Sequence, residues 1–264
     1  MDPLEYQIGQ THWHTDEVVD LMPRGPDVGF LLRRWEERTS DSIDASSPGA
    51  MLDVGCGNGQ ALVDLAQRGW RVCGVDPSSR QLQEASSLFQ RAEVDVALVR
   101  AVAEHLPFKD EAVNAVLSKS AIDHVTDRDA AMKEFSRVLD PTGRAVISAV
   151  SFDGVTARLS RLLYKIFRGS GVIDKKRRPW DTHVPAEHTF EGTHDNIVEL
   201  CTNSMDLVEV YGVSIFFGLP RWGWLLSKLP ERWAKWILNT VDRIAYARPK
   251  LADVVVCVVA PRTK

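Results

Sequence analysis

The stretch Leu52-Asp53-Val54-Gly55-Cys56-Gly57-Asn58-Gly59 sits where an apolar run from Ala50 to Val54 gives way to helical spacing at Leu62, Leu65 and Ala66. It therefore reads as strand, glycine turn, helix. Glycines at such a turn let the backbone bend sharply and approach a ligand closely, and the helix start offers unpaired amides. The spacing is GxGxG. The third, helix-packing glycine of a dinucleotide fingerprint is missing, since Val63 and its neighbours occupy that region. No Gly-Lys-Ser/Thr follows, so a Walker loop is excluded. The next apolar run, Val72-Cys73-Gly74-Val75, ends in Asp76, whose carboxylate can accept from both hydroxyls of a ribose. Loop and acid together specify a nucleoside-bearing ligand.

Outward from this turn, strands are predicted at Ala50–Val54, Arg71–Val75, Asp95–Val99, Ala112–Leu117, Arg144–Ser151, Asp206–Phe216 and Asp253–Ala260. Helical stripes lie between them at Leu82, Ala85 and Phe89, and at Met132, Phe135 and Val138. Alternating strands and helices imply right-handed crossovers. The expected fold is thus α/β, a doubly wound, seven-stranded, mostly parallel sheet. Residues 1–48 read as an N-terminal cap or lid, with a helix at Asp27–Arg38 and a polar linker at Thr39–Pro48. Residues 49–264 form one domain, in which 152–190 and 217–250 are insertions on the substrate side. The first insertion carries a basic run that includes Arg158, Arg161, Lys165 and Lys175 to Arg178. The second carries Trp222, Trp224, Trp233 and Trp236 on two short helices parted by Pro230.

The 264 residues are 44% hydrophobic with a formal net charge of −4, a globular composition that excludes wholesale disorder. Cys56, Cys73, Cys201 and Cys257 lack ligand spacing, so neither a disulfide framework nor a metal site is expected. No leader or spanning stretch is evident, and the expected compartment is the cytoplasm.

Four motifs in order make the chain resemble the class I S-adenosylmethionine-dependent methyltransferases of the small-molecule type, those acting on quinones, lipids and natural products. They are the glycine loop, Gly74-Val75-Asp76-Pro77-Ser78, Ala103-Glu104-His105-Leu106-Pro107-Phe108, and Arg137-Val138-Leu139-Asp140-Pro141-Thr142-Gly143. The resemblance implies S-adenosylmethionine as cofactor. Its tail would lie on Asp53, Gly55, Cys56 and Gly57, its ribose on Asp76 and Pro77, and its adenine near Gln81, Val102, Ala103 and Glu104, with Ser118 a further cofactor contact on the edge that flanks the methyl. Relatives usually carry Asp or Asn where this chain has Val102, so the adenine amino group needs another acceptor, Gln81 or Glu104.

The resemblance also places Ser118 to Val125 beside the reactive methyl, and His124 is the candidate base. The same histidine can instead be a structural residue at a helix start, and Asp123 is expected to face solvent or cap a turn. No Asn/Asp-Pro-Pro-aromatic tetrapeptide follows the fourth strand, which argues against nucleic-acid bases as substrates. The expected acceptor is small or lipid-like, methylated at oxygen first, with carbon, nitrogen and sulfur open. Rival readings are a membrane-surface carbon methyltransferase of a quinone or lipid, and a cofactor binder without catalysis. Trp13 and His14 in the cap and Trp224 and Trp236 in the second insertion are the acceptor-side candidates, and the basic, tryptophan-bearing edge allows peripheral membrane contact. His183, His188 and His194 read as solvated loop residues.

Overall fold

The computed structural model describes residues 25–45, 48–167, 190–219 and 221–262. Trp13, His14, His183, His188 and the basic residues Lys175 to Arg178 lie outside them.

In chain order the elements are α1 (Pro26–Asp44), β1 (Ala50–Val54), α2 (Gln60–Gln67), β2 (Arg71–Val75), α3 (Ser79–Ala92), β3 (Ala97–Val99), β4 (Val113–Lys119), α4 (Arg128–Val138), β5 (Leu139–Val150), α5 (Val155–Phe167), α6 (His194–Ser204), β6 (Met205–Val213), α7 (Trp222–Ser227), α8 (Glu231–Ala247) and β7 (Val254–Pro261). The seven strands form one sheet in the order β3-β2-β1-β4-β5-β7-β6. Strands β1 to β5 pair in parallel, whereas β7 runs antiparallel to both β5 and β6. Chain reversal at β1, where β2 lies to one side and β4 to the other, opens a crevice beyond the carboxyl ends of the strands.

Side chains alternate across the sheet as strand geometry requires. Leu52, Val54, Val116, Ile147 and Val255 pack under α4 and α6, which contribute Met132, Phe135, Ile197 and Cys201. Met51, Ala115, Leu117, Val146 and Val256 pack on the other face under α1, α2 and α3. Both faces are covered, so a wholly apolar β7 is buried along nearly its entire length. All four cysteines are free thiols.

Four local expectations need correction. Helix α1 runs on to Asp44, so more than half of the expected polar linker Thr39–Pro48 is helical. Ile43 is fully buried, and Thr39 folds its hydroxyl back onto the Trp35 carbonyl at 2.8 Å, which hides polar residues inside a packed helix. The helix belongs to the core layer: Trp35 donates its indole N–H to Ser148 Oγ on β5 at 2.9 Å. Strand β6 stops at Val213, because Ser214 and Phe216 both take positive φ and their amides go to Asp242 and Thr156. Asp123 is 2% exposed and does not face solvent. His194 lies in the first turn of α6, with Nδ1 at 2.7 Å from Asp195, and is not a loop residue.

Candidate active site

The glycine loop turns as the sequence requires. Gly55, Gly57 and Gly59 have φ of +78°, +53° and +76°, a region in which a side chain is strained. Their surroundings differ. A Cβ on Gly55 would collide with Ala121 and one on Gly59 with Phe89, whereas one on Gly57 would meet nothing closer than Gln81 Oε1 at 3.8 Å. Gly55 and Gly59 thus serve close packing, and Gly57 leaves open space.

Asp76 secures this loop from the neighbouring strand. Its Oδ2 accepts the Gly57 amide at 2.9 Å and its Oδ1 the Ser78 amide at 2.8 Å. Ser78 in turn caps α3 by accepting the Gln81 amide, which brings Gln81 beside Gly57. Burial pushes the Asp76 carboxyl above its ordinary range, against the pull of those two amides.

Asp53 is the electrostatic centre of the site. It is 3% exposed, and its Oδ1 has no hydrogen-bond partner in the protein. Burial pushes its pKa up to about 7, with the ammonium of Lys119 pulling the other way and the carboxylates of Asp76 and Glu36 adding to the rise. The amides of Gly55 and Cys56 go to the Val75 carbonyl and that of Gly57 to Asp76, so the orphaned, buried carboxylate oxygen of Asp53 is the group here that fits a ligand carrying a cation.

A cleft opens at the carboxyl ends of β1, β2 and β4. Of the residues expected from sequence, Gly55, Pro77, Val102, Ala103, Glu104, Ser118 and His124 line it together. Val54 from the glycine-loop motif and Ala121 and Val125 from the segment after β4 line it as well, together with Ala101 and Thr126, which carry no chemical signature in the sequence. Asp53, Cys56, Gly57, Asp76 and Gln81 flank it through the glycine loop and the start of α3. His124 reaches the cleft because the chain after β4 forms one tight turn, Ile122–His124, closed by its amide on the Ala121 carbonyl at 3.0 Å.

The part of the cleft lined by Val102, Ala103 and Glu104 is shaped by two motifs that meet in space. Arg137 donates to the carbonyls of Phe108 and Leu106 at 2.8 and 3.0 Å, and Glu134 accepts the Leu106 amide at 2.8 Å. Glu134 and Arg137 also pair at 2.6 Å. Glu104 is occupied: its Oε1 accepts the Thr126 and Asp127 amides at 3.0 and 3.2 Å, so this carboxylate holds the segment after His124 in place. Trp224 and Trp236 are not among the cleft residues and are 61% and 60% exposed.

Residues 52–147 match the methyltransferase domain family. This domain covers the glycine loop, the cleft and the turn held by Arg137. Among curated proteins, the chain is 32% identical over 150 residues to a ubiquinone/menaquinone biosynthesis C-methyltransferase of Syntrophotalea carbinolica, covering 56% of this chain and 62% of that one. It is 28% identical over 175 residues to the O-methyltransferase resE of Aspergillus sclerotiorum, covering 58% and 64%. The aligned region thus spans less than two thirds of these relatives' own length. Among solved structures, a geranyl diphosphate C-methyltransferase from Streptomyces coelicolor, in complex with Mg2+, geranyl-S-thiolodiphosphate and S-adenosyl-L-homocysteine, superposes with a TM-score of 0.57 at 16% identity, covering 87% of this chain and 76% of that one. The fold is the Rossmann-like methyltransferase fold, with its reversed last strand.

Proposed function

We propose that the protein transfers a methyl group from S-adenosylmethionine to a small, apolar acceptor, at oxygen by preference. The observation that carries this reading is the buried, unpartnered Oδ1 of Asp53 at the start of the glycine turn. That oxygen suits the cofactor's ammonium, and the open space at Gly57 suits its tail. Asp76 would hold the ribose hydroxyls while keeping Gly57 in place, and the apolar surfaces of Pro77, Val102 and Ala103 would flank the adenine. When bound, the cofactor supplies an electrophilic methyl on a sulfonium.

The protein's own part is to align an acceptor, exclude water and move one proton. Ala121, Val125 and His124 supply a dry wall with a single titratable ring. His124 would accept the proton from an acceptor hydroxyl as the oxygen attacks. Similarity to both an O- and a C-methyltransferase supports the general class and leaves the acceptor atom open. The likeness to the quinone enzyme favours, as a second reading, a ring carbon activated by a neighbouring hydroxyl, in which the same histidine would take the hydroxyl proton.

Calorimetry with S-adenosylhomocysteine tests the cofactor site, and turnover on a panel of phenols, alcohols and quinols tests the acceptor. With an oxygen acceptor, His124→Gln is expected to lower kcat by about 10²-fold or more at unchanged cofactor affinity, the usual contribution of a general base. Unchanged turnover would remove His124 from that role. Tight binding without turnover on any acceptor would favour a non-catalytic binder.

A further inference from the structure

Helix α8 is apolar on two opposite sides. Its inner stripe, Ala234, Leu238 and Ala245, is buried, the first two against Phe30 and Leu226. Its outer stripe carries Trp233, 50% exposed, with Trp236 and Ile244. On α7, Trp224 and Leu225 are exposed as well. A core explains the inner stripe only, and five large apolar side chains exposed on two successive helices exceed the scattered exposure that needs no explanation.

The segment that carries this face is predominantly basic. Residues 221–250 hold seven Lys and Arg against two acids, in a chain whose net charge is −4. Asp242 is one of those acids and lies buried against Arg34 and Arg38, while Glu231 is paired with Lys235 at 2.6 Å. Lys228 lies over the ring of Trp224 and Arg232 over that of Trp233, each at 5.7 Å. Indoles interleaved with cations suit a surface that is apolar below and negative above.

We propose that the outer face of α7 and α8 is an interfacial anchor that seats the protein on a bilayer containing anionic phospholipid. A second copy of the same face would bring positive charge against positive charge, so the pattern selects lipid over self-association. The position serves the active site. Asp27 in the first turn of α1 accepts the Gly218 amide, just past the end of β6. Val150 and Val213 end β5 and β6 level with Val254, the first residue of the antiparallel β7, so α7 follows from the carboxyl edge of the parallel strands, the edge on which the cleft opens. Docking stands on the surface alone. Its use, delivery of a membrane-dissolved acceptor to the cleft, rests on the methyltransferase reading.

The test is co-sedimentation of the full chain with vesicles of phosphatidylcholine alone and of equal parts phosphatidylcholine and phosphatidylglycerol, at low and high salt. Binding is expected to be about tenfold or more stronger on the anionic vesicles and to fade with salt. Trp233→Ser with Trp236→Ser, and separately Lys228→Glu with Arg232→Glu, should each lower it by about tenfold or more. Quenching of wild-type tryptophan emission by nitroxide-labelled lipid supplies a readout that needs no variant. Absence of partitioning and quenching overturns the anchor, as does equal binding to both vesicles. So does a dimer in velocity sedimentation that the tryptophan variant abolishes, since the face would then belong to a second copy. None of these readouts depends on methyl transfer, so the anchor and the enzymatic reading can fail separately.

Discussion

Asp76 and Gly57 are joined across the sheet edge by a 2.9 Å hydrogen bond from the glycine's amide to Oδ2 of the carboxylate. The acid at the end of β2 therefore shapes the loop after β1, in addition to the ribose contact proposed for it. Asp76→Ala should cost cofactor binding about 1.5 to 3 kcal/mol or more, as expected for a charged hydrogen-bond partner. It should also lower stability, because the Gly57 amide loses its acceptor. Calorimetry on the folded variant and a urea titration check the two effects. Unchanged binding would remove the ribose assignment.

Asp53 links pH to ligand binding. With a free-protein pKa of about 7, its carboxyl is mostly protonated at pH 6 and ionised at pH 8. An ammonium ligand binds the ionised form, so S-adenosylhomocysteine should bind about tenfold more weakly at pH 6 than at pH 8, with proton uptake on release. The sign for stability is opposite. A carboxyl whose folded pKa is raised is stabilising while protonated and loses that contribution as pH climbs from about 4 through 7. Asp53→Asn should accordingly raise the Tm of the free protein at pH 8 but not at pH 4, while flattening the pH dependence of binding. A binding constant that does not vary with pH would refute the assignment.

The three glycines of the loop are expected to separate in mutagenesis. Gly57→Ala has room for its methyl, so it should lose on the order of 1 kcal/mol through the positive φ while cofactor affinity falls by tenfold or more. Gly55→Ala meets Ala121 and should be the more destabilising of the two. Thermal melts with and without S-adenosylhomocysteine distinguish the two losses. A Gly57→Ala protein with normal affinity would mean that the cofactor tail lies elsewhere.

A buried ion cluster ties the first helix to the last. Asp242, 2% exposed, pairs with Arg38 at 2.5 Å and Arg34 at 3.3 Å, and accepts the Ser214 amide at 3.1 Å. Removing the acid leaves a largely buried guanidinium and a buried amide without their partner. Asp242→Ala should therefore lose about 3 kcal/mol or more in chemical denaturation. A loss below 1 kcal/mol would mean that the Arg38 head escapes to water.

Much of this architecture was legible in the residues themselves. The order and type of the strands and of α2, α3 and α4 follow from local periodicity, and the glycine turn, Asp76, His124 and the two helices around Pro230 follow from residue type and position. Such features depend on neighbours within a few positions, which a sequence displays directly. The tertiary structure alone decided the rest. An apolar run such as Val254 to Val259 reads the same in either direction, so only pairing with β5 and β6 made β7 antiparallel. Thr39 to Asp44 look like a linker until Ile43 is packed beneath the sheet, where its burial outweighs the polar residues around it. The turn from Leu106 to Phe108 and Arg137 are separate motifs along the chain and become one structure when the guanidinium reaches two carbonyls. The isolation of Asp53 and the burial of Asp123 are likewise properties of surroundings assembled from distant segments, and desolvation, which sets how a carboxyl behaves, exists only once those segments have closed around it.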